Sequence, residues 1–214
     1  MKNRSIELAL FTLALAAANA PLLFGRICTA LPFVPARVAA GEWWRVLTGL
    51  FVHVSAYHLL LDAGAFLLLY RGLRSSSAAR RLLTAAACAA GSLALSLPAL
   101  GGDGSLCGLS GVAHGLLAVT ALEMTAEPDR TAARLGWAAL LLVAGKSTFE
   151  ALSGHVLFES LHLGDVATPV AICHLGGVLG GVLAHACFTA LDRCASRNVT
   201  CTPSMMYTIS TNTR

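Results

Sequence analysis

Of 214 residues, 56% are hydrophobic and 12% are charged, and the mean hydropathy is +0.71, so the apolar surface is too large to hide in one soluble core. A soluble globular domain is excluded, and the chain reads as an all-α, polytopic membrane protein. The net charge of +4 then matters less than where its charges fall.

In chain order, Met-Lys-Asn-Arg leads into an apolar run from Ile6 to Gly25. Ala18-Asn19-Ala20 imitates a signal-peptidase site, but Pro21 follows and the run continues, so an uncleaved first span is expected. Residues 26–50 form a mixed loop whose Gly-Glu-Trp-Trp-Arg at 41–45 suits a partly interfacial position. A second span is expected at about Leu50–Tyr70, closed by Arg71, Arg74, Arg80 and Arg81. The third covers about Leu82–Leu100 and stops at Gly101-Gly102-Asp103-Gly104. The fourth runs from Leu106 to about Met124. The fifth runs from about Ala132 to Val143, reaching at most Phe149, with Lys146 marking its end. A polar loop with Glu150, His155, Glu159, His162 and Asp165 leads to the sixth, about Val166–Leu191. The membrane domain is therefore 1–192, and the polar tail 193–214 reads as disordered.

Basic residues orient the spans. With the N-terminus in the cytoplasm, Lys2, Arg4, Arg71, Arg74, Arg80, Arg81, Arg130, Arg134, Arg193, Arg197 and Arg214 fall inside. Arg26, Arg37, Arg45 and Lys146 fall outside. That bias favours six spans with both termini cytoplasmic, and places the start of the fourth span near the outer face.

That start is Gly108-Leu109-Ser110-Gly111-Val112-Ala113-His114-Gly115. A serine flanked by small residues leaves room for a backbone to approach its hydroxyl, as a nucleophile requires. The elbow of soluble hydrolases fails here, because Val112 stands where its second glycine would be. Ionisable groups inside spans are costly and mark function by default. His58 and Asp62 lie four residues apart on one helix face, and so do Ser110 and His114. In the sixth span His174 precedes Gly176, Gly177, Gly180 and Gly181, two overlapping small-residue pairs that allow close helix approach. A serine needs a base, and neutral imidazole is poised for that near neutral pH. His114 stacks above Ser110 and leaves little room for substrate, so His174, arriving from another helix, is favoured. No acidic residue is spaced to orient His174 within its own helix, so a dyad is expected.

Together these motifs resemble the rhomboid intramembrane serine proteases: Gly41-Glu-Trp-Trp-Arg45, His53-x4-His58-x3-Asp62, Gly108-Leu-Ser110-Gly and His174-Leu-Gly-Gly-x3-Gly, over about residues 40–190. The resemblance implies a six-transmembrane-helix bundle with Ser110 as nucleophile and His174 as general base. It also implies an oxyanion site built from His58, residue 62 and backbone N–H groups around Gly108, Leu109 and Ser110. His53 and His114 would support these groups from behind. The string 108–115 is closest to the rhombosortases, whose implied substrates are secreted proteins with a C-terminal Gly-Gly motif, one apolar span and a basic tail. Asp62 departs from the family, which generally has Asn there. It either stays protonated and donates as Asn would, or pairs with His58.

Implied partners are transmembrane substrates with a C-terminal apolar anchor and the lipid bilayer, in a bacterial inner membrane with the site facing outward. No nucleic acid, cofactor or metal is expected. His58, Asp62 and His174 are the one set that could converge on a metal ion. Seven cysteines without a Cys-x-x-Cys pair read as small membrane residues. The competing functions are an inactive rhomboid-like scaffold for transmembrane helices, against which Ser110 and His174 both argue, and a proton-conducting channel, for which no inverted repeat is visible.

Overall fold

A computed structural model describes residues 2–157, 163–166 and 170–200, with the backbone alone for 2 and 197–200. Its elements are helices: α1 Lys2–Asn19, α2 Pro35–Ala39, α3 Arg45–Thr48, α4 Ala56–Gly72, α5 Ala78–Leu100, α6 Ser110–Thr125, α7 Arg130–Ser153 and α8 Ile172–Thr200, with a 3-10 segment Ala20–Phe24 after α1. Among the described residues, four segments are long and apolar enough to cross a bilayer: Asn3–Phe24, Ala78–Leu100, Arg130–Ser153 and Ile172–Ser196. Leucines such as Leu60, Leu68, Leu141 and Leu183 stay exposed on the bundle surface, as lipid-facing side chains do. The chain is an integral membrane protein.

Helix α6 has 16 residues and is therefore about 24 Å long, against about 35 Å for the 23-residue α5. It starts at Ser110 instead of Leu106, and the loop before it reaches into the bundle, where Leu109 is buried. The first loop buttresses that segment. Phe33 and Leu106 exchange N–H···O bonds at 2.9 Å, and Gly108 N donates to Gly49 O at 3.0 Å. Buried Arg45 bonds Glu42 at 2.6 Å and the carbonyl oxygens of Thr29 and Pro32. The Glu-Trp-Trp-Arg motif thus staples the loop by its arginine, while Trp43 and Trp44 remain exposed.

The far end of the bundle gathers the basic residues. Arg4 at the start of α1 donates to the carbonyl oxygens of Arg71, Leu73 and Ser75 after α4. Arg74 pairs with Glu127, and Arg80 at the start of α5 with Asp192 near the end of α8. Just inside, Glu7 accepts from Tyr70 at 2.5 Å and from Arg81 at 2.6 and 3.0 Å, a buried cluster joining α1, α4 and α5. Those contacts put the start of α1, the end of α4, the start of α5 and the ends of α6 and α8 on one side.

The centre is held by α8. A Cβ on Gly176 would collide with Gly91 O, and one on Gly180 with Ala87 O, both on α5. On the adjacent face of α8, a Cβ on Gly177 would collide with Gly111 O, and one on Gly181 would lie 2.6 Å from Gly115 O, both on α6. The small-residue pairs thus serve two different neighbours, and α8 wedges between α5 and α6 at backbone contact.

Several boundaries differ from those expected. Helix α4 starts at Ala56, because Ser55 caps it by accepting from His58 N. Helix α7 continues to Ser153, so Lys146 and Glu150 lie inside it, neither ending it nor standing in the loop beyond. Helix α8 starts at Ile172 and continues past residue 193 to Thr200. Glu159, His162 and the tail from 201 onward fall outside the described residues, while His155 is exposed as expected.

Gly177→Ala should lower stability by about 1–3 kcal/mol, because its methyl group meets a backbone oxygen that moves only if the helices part. Gly145→Ala on α7, with open space around it, should be neutral or stabilising by up to about 1 kcal/mol. Thermal unfolding of both in detergent checks the contrast, and equal shifts would contradict the wedge.

Candidate active site

Ser110 is the first residue of α6, preceded by Gly108, whose backbone has φ +96°. A side chain at 108 would be strained there and would meet Asp62 Oδ2 at 2.6 Å and His58 Nε2 at 2.9 Å. A helix start leaves N–H groups without intrahelical partners, and here no side chain of the preceding residue caps them. Asp62 does so from α4: its Oδ2 accepts from Leu109 N at 2.9 Å and from Ser110 N at 3.0 Å. A carboxylate at this positive helix end is favoured electrostatically. The same oxygen stands 3.2 Å from His58 Nε2 and 3.5 Å from His53 Nε2. Both are charge-pair approaches, and neither His53 ring nitrogen has a hydrogen-bond partner. His53 packs edge-on against His58, with ring centroids 4.9 Å apart, and its backbone N–H is held by Asn19 at 2.8 Å. Asp62 Oδ2 thus acts as an acceptor toward α6, with His58 the nearer of its two imidazole neighbours.

Across the cavity stands α8. Ser110 Oγ lies 3.8 Å from Cys173 Sγ, one residue before His174. His174 Nδ1 bonds Glu150 Oε2 at 2.7 Å, so the imidazole has a carboxylate partner after all, supplied by α7. Glu150 is fully buried, and its Oε1 accepts from Lys146 Nζ at 2.6 Å and from Leu157 N at 2.8 Å. Lys146 Nζ also reaches His114 Nε2 at 2.9 Å, while His114 Nδ1 bonds the Ser110 carbonyl oxygen at 2.8 Å. The His114 and His174 rings stack at 4.0 Å between centroids, 13° from parallel. Ser110, His174, His58, Asp62, His114 and Lys146 all line one cavity of about 530 Å³.

A family model described as the Rhomboid domain matches residues 40–190. The chain belongs to the rhomboid family. No curated protein matches it. Rhomboids are serine intramembrane proteases that act on transmembrane substrates within the bilayer, and the four motifs read from the sequence all fall inside the matched region.

The rhomboid architecture brings Ser110, His174, His58, Asp62, His114 and Gly108 to one cavity, with His53 behind Asp62, whereas the Leu109 side chain is buried in the core and does not line it. The metal set named from the sequence does not assemble as one group. Instead His53, His58 and Asp62 converge on one side, and His114, Glu150 and His174 on the other, each with donor atoms within 4.8 Å. Either trio has ligands suited to a divalent cation such as zinc. The second trio is bound up with Lys146, whereas in the first, which surrounds one Asp62 oxygen, both ring nitrogens of His53 and Nδ1 of His58 lack a hydrogen-bond partner.

Lys146, Glu150 and Cys173 went unnoticed as site residues. The signal was present for two of them, since Lys146 and Glu150 are four apart in a stretch whose apolar residues continue through Phe149 to Leu152. Ending the span at the lysine hid it.

If Asp62 caps α6, Asp62→Asn should keep stability within about 1 kcal/mol, because an amide oxygen accepts the same N–H groups. Asp62→Ala leaves two buried N–H groups bare and should cost about 1–3 kcal/mol. Unfolding midpoints of the two variants check this, and equal losses would contradict the cap.

Proposed function

We propose that the chain is an active intramembrane serine endopeptidase in which Ser110 is the nucleophile and His174 the base. The observation that carries this reading is the meeting of α6 and α8: Ser110 Oγ packs against Cys173, and the adjacent His174 has its Nδ1 bound away from the cavity they share. Rotation about the Ser110 Cα–Cβ bond turns the hydroxyl from Cys173 Sγ toward His174 Nε2 when substrate arrives. Hydrogen bonds between catalytic groups commonly tighten at that stage.

Ser110 Oγ attacks the scissile carbonyl carbon while His174 Nε2 takes the hydroxyl proton. The tetrahedral intermediate then expels the amine, to which His174 returns the proton, leaving an acyl-enzyme. Water attacks the ester as its proton passes to His174, and collapse breaks the bond to Ser110 Oγ, which takes that proton back from His174 and frees the carboxylic acid. His58 and backbone N–H groups at 109–110 stabilise the oxyanion. Asp62 must share or release the Leu109 and Ser110 N–H groups for that purpose, which sets this chain apart from members with Asn there.

A six-span topology with cytoplasmic termini fits the placement of basic residues at the ends of α1, α4, α5 and α8. Ser110 then opens toward the outer, periplasmic face of a bacterial inner membrane. Substrates are single-span proteins with a C-terminal apolar anchor, cut beside a Gly-Gly pair outside that anchor, in the manner of rhombosortases. Small residues let a helix end unwind into the extended backbone that an active site requires.

The test is cleavage of a reconstituted single-span substrate in liposomes. Wild type should cut next to the glycines, Ser110→Ala and His174→Ala should fall by at least about 10³-fold while staying folded, and a substrate with leucines replacing both glycines should resist. Undiminished cleavage by either variant would overturn the assignment. Absence of any cleavage by wild type would leave the inactive scaffold as the better reading.

A further inference from the structure

We infer that Glu150 is the positioning residue of His174, which makes the site a Ser110–His174–Glu150 triad assembled from three helices. The inference rests on the reading of Ser110 and His174 as nucleophile and base.

Hydrogen-bond complementarity assigns every proton in the network. A carboxylate only accepts, so the His174 nitrogen facing Glu150 Oε2 carries a hydrogen, and in the neutral ring Nε2 then keeps its lone pair. That is the tautomer a base needs to take the Ser110 proton. The Ser110 carbonyl oxygen also only accepts, so His114 donates through Nδ1 and must accept from the Lys146 ammonium at Nε2. His114 is thereby committed on both nitrogens and has no free atom with which to serve as base. Of the two imidazoles stacked on one another, only His174 keeps a nitrogen outside the bonds to Lys146, Glu150 and the Ser110 carbonyl oxygen.

The setting argues against a purely structural role. A fully buried carboxylate in an apolar helix costs several kcal/mol unless paired, and a hydrophobic residue of the same volume would hold α7 and α8 together at less expense. Lys146 neutralises Glu150 through the other oxygen, Oε1, and leaves Oε2 for the imidazole. When His174 takes the proton, the imidazolium forms 2.7 Å from a carboxylate already oriented for it. Leu157 N also donates to Oε1, so the segment after α7 fixes the rotamer of Glu150. The triad thus depends on contacts beyond the catalytic helices.

Glu150→Gln tests this. Its amide oxygen can still accept from Lys146 and Leu157 N, but its NH₂ faces His174 Nδ1 and favours the tautomer with the proton on Nε2. On the reconstituted substrate, kcat should fall about 10³- to 10⁴-fold with KM within about threefold. The charge-neutral double variant Lys146→Met/Glu150→Gln removes the ion pair, which keeps the test valid should the single variant unfold, and should show the same kcat loss. Near-wild-type kcat in the double variant would overturn the inference, because Glu150 would then exist only to balance Lys146. A kcat within about threefold of wild type for folded Glu150→Gln would do the same. Ser110→Ala, measured alongside, separates the two levels: if it is inactive while Glu150→Gln is not, the triad fails and the nucleophile stands, and if it stays active, the reading of Ser110 itself fails.

Discussion

Everything in the site depends on how closely α8 can approach its neighbours. Four glycines on adjacent faces of that helix remove the side chains that would hold it off, so its backbone rides on the carbonyl oxygens of α5 and α6. His174 leads this stretch by two residues, and Gly177 seats against Gly111, the residue after Ser110. Ser110 and His174, the proposed nucleophile and base, are thus placed by backbone contact, which no rotamer change can loosen. In a bilayer, where apolar side chains gain nothing by leaving lipid, this kind of packing is the main force that can hold helices in register.

Around that wedge the chain builds two polar layers of opposite character. At the basic end Glu7, Tyr70 and Arg81 close a buried cluster that ties α1, α4 and α5, and the groups within it satisfy one another. At the other end Asp62 caps α6 on one side of Ser110, and the Lys146–Glu150 pair holds two imidazoles on the other. The two layers differ in access. The first is buried and only its Arg81 borders a cavity, at the basic end, whereas the second borders the cavity that a substrate backbone would enter.

Much of this was legible in the sequence, and the failures have physical causes. Hydropathy placed the long helices, and Ser110, His114, His58, Asp62 and His174 stood out because ionisable or nucleophilic groups are rare inside apolar runs. Helix ends were less visible. Lys146 looked like the end of a span, since a lysine at a membrane boundary and one turned into a polar interior have the same local sequence. Once α7 was cut short there, Glu150 became a loop residue and the carboxylate on His174 was lost with it. The contact joins residues 24 apart on separate helices, beyond the reach of any spacing within α8. Glu7 was passed over in the first span because its partner, Arg81, is 74 residues away and was read as a boundary charge. Spacing rules detect pairs within one helix and are silent on pairs between helices.

The central claim is that Ser110 is an activated nucleophile. The most direct measurement is reaction of the purified protein with a fluorophosphonate, followed by peptide mass spectrometry to locate the adduct. The account predicts one phosphonylated residue, Ser110, and no adduct in the Ser110→Ala protein. An unreactive wild-type protein, or an adduct elsewhere that survives Ser110→Ala, would contradict it.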